Sequence, residues 1–400
     1  MPFCGTPGKQ MLIHRCAQLM LELNTEPRFA LASLLSGGDG LDKSPRWIAY
    51  AAHLDEPVEV SLSELQVLEC ISENTPAAFP ELAARLDKSL LDSLLEKGLL
   101  LNDTESHARW RERNQVVRDV AWWPPAAIAM ANGRWKEIDI AEREKRGVTM
   151  SSQDMVDAFG AAPEEEYRRT ENTKPLALAR PKKTGFDDLL SKRKTCRNFD
   201  LAQSISAEDL ATMLRRVWGA VGTLQLAPGA VAVKKNSPAG GGLHATEAYV
   251  LVQRAEGIEP GIYHYLSMRH ALEPMQTLTA TDMRDLMYRC VAGQHWFQDV
   301  PVMVIMAARF DRLFWKYRRH AKAWRVVHLD VGHLSQTMYL SAADLGLGAF
   351  VTAAINDHTI EQALGLQTLK EGAIAIVGFG PRLPTSTTLE LDNLTPVIIP

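Results

Sequence analysis

Apolar residues change their spacing several times along this 400-residue chain, and each change marks an element. Trp47-Ile48-Ala49-Tyr50 and Val58-Glu59-Val60 read as short strands. Ser61-Leu62-Ser63-Glu64 carries the Ser-x-x-Glu of a capping box and opens a helix with Leu65, Leu68 and Ile71 on one face. A short helix over Glu81 to Leu86 follows. The next, Ser89 to Lys97, turns Leu90, Leu91, Leu94 and Leu95 inward and ends at Gly98 as its C-cap. Leu99-Leu100-Leu101 then returns as a strand. In the second half, Glu247 to Val252 and the unbroken apolar run Val302 to Met306 have the composition of buried sheet strands. Between Arg325 and Leu345 the spacing switches to helical, with Val327, Leu334, Met338 and Leu345 along one stripe.

These elements predict an α+β protein of more than one domain. Residues 1–24 read as a helical lead-in, and 25–105 as a small domain with winged-helix order. Residues 106–184 read as a helical connector, with Trp110, Trp122 and Trp135, that passes into a polar, basic linker from Glu164 to Lys183. Residues 185–400 read as the principal domain. Winged-helix order often serves DNA, but charge opposes that here. Between Glu59 and Asp103 nine acidic residues face three basic ones, where phosphate contacts need Lys and Arg. The net charge of −4 excludes a global field for nucleic acid or an anionic membrane. The apolar run from Val300 to Ala308 is too short to span a bilayer. The amino terminus has no apolar stretch ending in a small-residue cleavage site. Five scattered cysteines suit a reduced compartment, and a cytoplasmic location is the expectation.

Candidate chemistry gathers in the second half. Asn236-Ser237-Pro238-Ala239-Gly240-Gly241-Gly242 precedes a strand, and three glycines let a flat or anionic ligand lie directly against backbone N–H groups. In an extended segment Arg193, Thr195 and Arg197 share one face, and two guanidinium forks with a hydroxyl suit a phosphate. No metal site is expected. His328 and Asp330 point about 200° apart on a helix, and Cys4, His14 and Cys16 match no zinc spacing. Gly378-Phe379-Gly380 lacks the third glycine and following helix of a dinucleotide fingerprint.

The Arg-x-Thr-x-Arg-x-Phe segment at Arg193 to Phe199, followed by Ser237-Pro238-Ala239-Gly240-Gly241, resembles flavin-dependent nitroreductase-fold proteins. More narrowly the chain resembles the SagB-type dehydrogenases. That resemblance runs through Leu243-His244, Glu247-Ala248-Tyr249, Gly261 to Tyr265, His270 to Glu273, Trp315-Lys316-Tyr317, Leu329 to His333, Tyr339 to Gly348 and Ile374 to Gly380, and so spans roughly residues 186–382. The family's commoner Ser is Thr195 here, and its second basic residue is Lys194. The resemblance implies an FMN-dependent, nitroreductase-like carboxy-terminal domain, a sheet flanked by helices, in an intertwined homodimer. Arg193, Thr195 and Arg197 would hold the FMN phosphate and ribityl, with Arg382 adding a phosphate contact. Pro238, Ala239 and Gly240 would approach the ring from the partner subunit, flanked by Ser237 and Gly241.

The resemblance also implies a reaction: oxidation of a thiazoline or oxazoline to an azole in a ribosomally made precursor peptide, with Lys316 and Tyr317 as the catalytic pair. Desolvation beside Phe314 and Trp315 would lower the lysine's pKa, and a nearby ammonium would make Tyr317 a better base. The amino-terminal unit is similar to PqqD-like peptide-recognition elements, which implies a leader peptide as partner; a cyclase enzyme is a further partner the family resemblance suggests. Tethering recognition to chemistry makes the second contact intramolecular. Two other readings stay open: an NAD(P)H-driven reductase of small nitro, quinone or dehydroamino-acid groups, and a non-catalytic scaffold that delivers a peptide to a partner.

Overall fold

A computed structural model describes residues 10–170, 173–179 and 182–385. The chain divides into two compact units. The first comprises Met1–Arg134, Ala308–Val327 and Gly365–Gly372; the second comprises Trp135–Ala307, His328–Leu364 and Ala373–Pro400.

Two small antiparallel sheets frame the first unit. One pairs Leu19–Asn24 with Arg46–Ala51 and that strand with Val58–Val60; the other places Leu12–Arg15 between Ala77–Ala78 and Leu100–Asn102. The described part of the expected helical lead-in, residues 10–24, is therefore strand, not helix. Ile13 is completely buried and pairs with Ala77 and Asn102. Those partners lie more than sixty residues away, so no local spacing could reveal them. Residues 1–9 lie outside the described residues.

Local signals fared better in the helices. Ser61 and Glu64 close the capping box of Leu62–Glu69, the Ser61 N–H donating to Glu64 Oε2 at 2.7 Å and the Glu64 N–H to Ser61 Oγ at 3.2 Å. Asp87 caps Lys88–Glu96, whose Leu91 and Leu94 are fully buried. Gly98 ends that helix at φ +70°, where a Cβ would sit 2.9 Å from Leu54 Cδ2. Beyond this sheet region come the helices Ala108–Asp119 and Pro124–Asn132. The region read as a connector supplies core: Trp122 is 1% exposed. Its ring lies 4.6 Å from the rings of both Phe310 and Phe314, and its Nε1–H donates to Leu369 O at 2.7 Å.

The second unit is organised on a six-stranded sheet. Its order is Ala271–Thr277, Gly261–Leu266, Thr246–Val252, Val302–Arg309, Glu371–Gly380, Gly348–Thr352. The central position of Val302–Arg309 explains its unbroken apolar run, since both faces are covered. The helix Ala207–Val217 and the long helix Ala323–Asp344 contribute Leu210, Met213, Leu334 and Met338 to one core with Val250, Val304 and Val377.

Candidate active site

The helix Gly185–Lys192 begins at Thr184, whose N–H donates to Asp187 Oδ2 at 2.7 Å, and ends at Arg193 with extended backbone. From there the chain lies along the edge strand Gly348–Thr352. Cys196 N–H donates to Ala349 O at 2.8 Å, and Phe199 forms an antiparallel bridge with Arg382. Leu383 N–H donates to Asn198 O at 2.9 Å and secures the same crossing. Cys196 and Asn198 are thereby buried, while Arg193, Thr195 and Arg197 line a cavity of about 1290 Å³. The alternation expected of an extended segment is present. Gly348 makes the approach feasible: a Cβ there would meet Cys196 Sγ at 2.6 Å and Arg382 Cβ at 3.1 Å.

Five cationic side chains line this cavity: Lys192, Arg193, Lys194, Arg197 and Arg382. Asp344, the carboxylate in the same wall, pairs with Arg216 at 2.7 Å. Tyr339 was not singled out for a role from sequence, yet it organises the wall. Its hydroxyl oxygen accepts the Val351 N–H at 3.1 Å and lies 3.0 Å from Thr195 Oγ1, while the Arg193 guanidinium sits 5.4 Å from its ring centroid. Trp296, in the wall too, keeps its indole N–H buried with no partner among the described residues. Clustered cations, a hydroxyl and an unspent donor suit a ligand that combines an anionic group with polar atoms.

The glycine run forms a separate feature. Ser237 is buried, with Oγ 2.6 Å from Thr337 Oγ1, and Gly240 N–H donates to Asp330 Oδ1 at 3.0 Å. Burial pushes the Asp330 carboxyl up, against the lowering effects of the Gly240 N–H and His333. Asp330 thus holds the loop. Pro238 and Gly241 are exposed and Ala239 half-buried, and Gly241 takes φ +62° to turn the chain. None of Ser237 to Gly241 lines the cavity. Both features use the helix Ala323–Asp344, but Asp330 and Thr337 lie on one side and Tyr339 and Ala343 roughly 180° around it.

Lys316 and Tyr317 belong to the first unit, at the end of the helix Phe310–Lys316. Lys316 Nζ lies 5.7 Å from the Tyr317 ring centroid. Among the described residues, the apolar cover expected over Lys316 does not form. Phe314 turns into the aromatic core, while Trp315 and Lys316 are exposed. Among the described residues no group of three or more His, Cys, Asp or Glu is arranged to hold a metal.

Residues 190–381 match the nitroreductase family. The matched stretch coincides with the cavity-bearing sheet and its flanking helices. The chain is 26% identical over 198 residues to MJ1384 of Methanocaldococcus jannaschii, described as a nitroreductase, covering 50% of this chain and 91% of that protein. It is 30% identical over 145 residues to the trifolitoxin-processing protein TfxB of Rhizobium leguminosarum bv. trifolii, covering 36% of this chain and 38% of TfxB. With the microcin B17-processing protein McbC of Escherichia coli it shares 25% over 154 residues, 37% of this chain and 54% of McbC. The matched region thus spans nearly all of MJ1384 but only 38% and 54% of the two peptide-processing proteins.

Proposed function

We propose that the protein is an FMN-dependent dehydrogenase that oxidises a thiazoline or oxazoline, or a related group, in a ribosomally made peptide. The observation that carries the reading is the convergence of Arg193, Arg197 and Arg382, with Thr195 and Tyr339, on one cavity. These residues fit FMN: guanidinium forks match phosphate oxygens, and the Thr195 hydroxyl and Trp296 N–H offer further hydrogen bonds. Bound FMN would supply a two-electron acceptor for a hydride from the substrate carbon. Arg193, braced against the Tyr339 ring, holds its fork in place for the phosphate. Lys316 and Tyr317 are assigned to the accompanying proton, with Tyr317 Oη as acceptor and the Lys316 ammonium stabilising the phenolate.

The Ser237–Gly241 loop is assigned to the cavity of a second copy. Within one chain the loop and the cavity occupy opposite sides of the same helix, so a homodimer lets each loop serve its neighbour. Support for a peptide substrate comes from similarity to TfxB and McbC, whose names record processing of trifolitoxin and microcin B17. The first unit is assigned to peptide recognition, and a cyclase is assigned as the partner that supplies the ring.

The test is purification in FMN, measurement of bound flavin, and mass spectrometry of an azoline peptide after incubation. The expected result is a yellow protein and loss of two hydrogens per ring. A colourless protein after exposure to excess FMN overturns the reading. Similarity to MJ1384 over nearly its whole length favours a second reading, an NAD(P)H-dependent reductase of small molecules. Rapid flavin bleaching by NADPH, with turnover of nitro or quinone acceptors and none of azoline peptides, selects it.

A further inference from the structure

From Arg312 to Arg325 the first unit carries six cationic residues and no carboxylate. The chain's net charge is −4, so everything outside this segment sums to −10. Lys316, Arg318, Arg319, Lys322 and Arg325 are all exposed, and none has an ion pair among the described residues. Like charges held this close repel one another.

The segment that presents them is fixed, not loose. Phe310, Phe314 and Trp324 anchor it around Trp122, and Arg319 N–H donates to Ala121 O at 2.8 Å. Arg319 takes φ +49°, a left-handed backbone that L side chains disfavour and that Gly or Asn would accept more readily. Trp315, 58% exposed and next to Lys316 in sequence, offers an apolar contact. A fixed positive surface with one exposed indole, on a chain that is net acidic elsewhere, fits a negatively charged extended segment that also carries an apolar side chain.

We infer that this surface docks an acidic stretch of the peptide substrate, its carboxylates meeting Arg318, Arg319, Lys322 and Arg325 and an apolar residue meeting Trp315. The inference rests on the peptide-maturing reading above and deepens it, because it names the substrate's charge. A nucleic acid would also be attracted by the cations, but the peptide-processing relatives favour a peptide.

The test is fluorescence anisotropy with the full chain and three labelled probes: a glutamate-rich peptide containing one leucine, the same peptide with glutamine for glutamate, and an oligothymidylate. The glutamate peptide is expected to bind tightest at low salt, with its advantage fading once the screening length falls to a few ångströms. Arg318→Glu with Lys322→Glu turns two attractions into repulsions and should weaken glutamate-peptide binding roughly tenfold, leaving the glutamine peptide unchanged. Arg318→Gln with Lys322→Gln, which introduces no new charge, should weaken it about threefold. Equal binding of the two peptides, tighter binding of oligothymidylate, or indifference to both double variants overturns the inference. Flavin absorbance of the same samples separates the two claims. A colourless protein that still discriminates the peptides overturns only the flavin assignment, and a yellow, active protein that binds both alike overturns only this surface.

Discussion

Tyr339→Phe tests whether the cavity wall is organised for a ligand or merely packed. The substitution keeps the ring under the Arg193 guanidinium and removes one oxygen, which accepts the Val351 N–H at 3.1 Å and lies 3.0 Å from Thr195 Oγ1. Leaving a backbone donor unpaired costs about 1–3 kcal/mol, so the thermal midpoint should fall. Thr195 also loses its anchor, worth about 1 kcal/mol of ordering, which predicts FMN binding weaker by roughly five- to tenfold. Tyr339→Leu removes the ring too and forfeits a cation–π contact of about 0.5–1 kcal/mol, a further two- to fivefold. Titration of apoprotein with FMN, followed by flavin fluorescence quenching, reads both variants beside a thermal melt. If both lose stability yet bind FMN as tightly as the wild type, Tyr339 only packs and the cavity is not the flavin phosphate site.

Gly348→Ala places a methyl group 2.6 Å from Cys196 Sγ, so the Arg193–Arg197 segment must shift; flavin retention on gel filtration should drop, and adding Cys196→Ala should restore part of it. Asp330→Ala leaves the Gly240 N–H without its 3.0 Å acceptor, and hydrogen exchange at that amide should accelerate by at least about tenfold, whereas unchanged protection would show that the loop is held elsewhere. His53 is 1% exposed, and its pKa is lowered to about 4, first by burial and then by nearby Arg113, against the 2.8 Å hydrogen bond to Gly98 O. A histidine depressed in the folded state takes up its proton more readily when unfolded, so its contribution is intact above the unfolded value near 6.5 and is lost as pH falls toward 4. Between pH 7.5 and 4.5 that loss is about 2.5 kcal/mol. Urea titrations should show His53→Gln less sensitive to pH by that amount, and parallel profiles would refute the assignment.

Much of this molecule was legible along the chain because the governing interactions are local. A capping box needs only Ser61 and Glu64, a C-cap only Gly98, and an extended segment brings Arg193, Thr195 and Arg197 to one face by geometry alone. What failed involved partners distant in sequence. Leu12–Arg15 is a strand because residues 77–78 and 100–102 flank it, and Trp122 is core because Phe310, Phe314 and Trp324 close around it. The same limit hid the role of Tyr339: its stretch carries part of the family resemblance, but what its hydroxyl does exists only where a helix from the 330s meets Thr195 and the strand bearing Val351. Periodicity and residue chemistry therefore determined which groups were available and which faces they share. Tertiary structure alone decided that the arginines surround one cavity, that the glycine loop lies across a helix from it, and that Lys316 stands exposed, because long-range chain crossings, not nearest neighbours, set those distances.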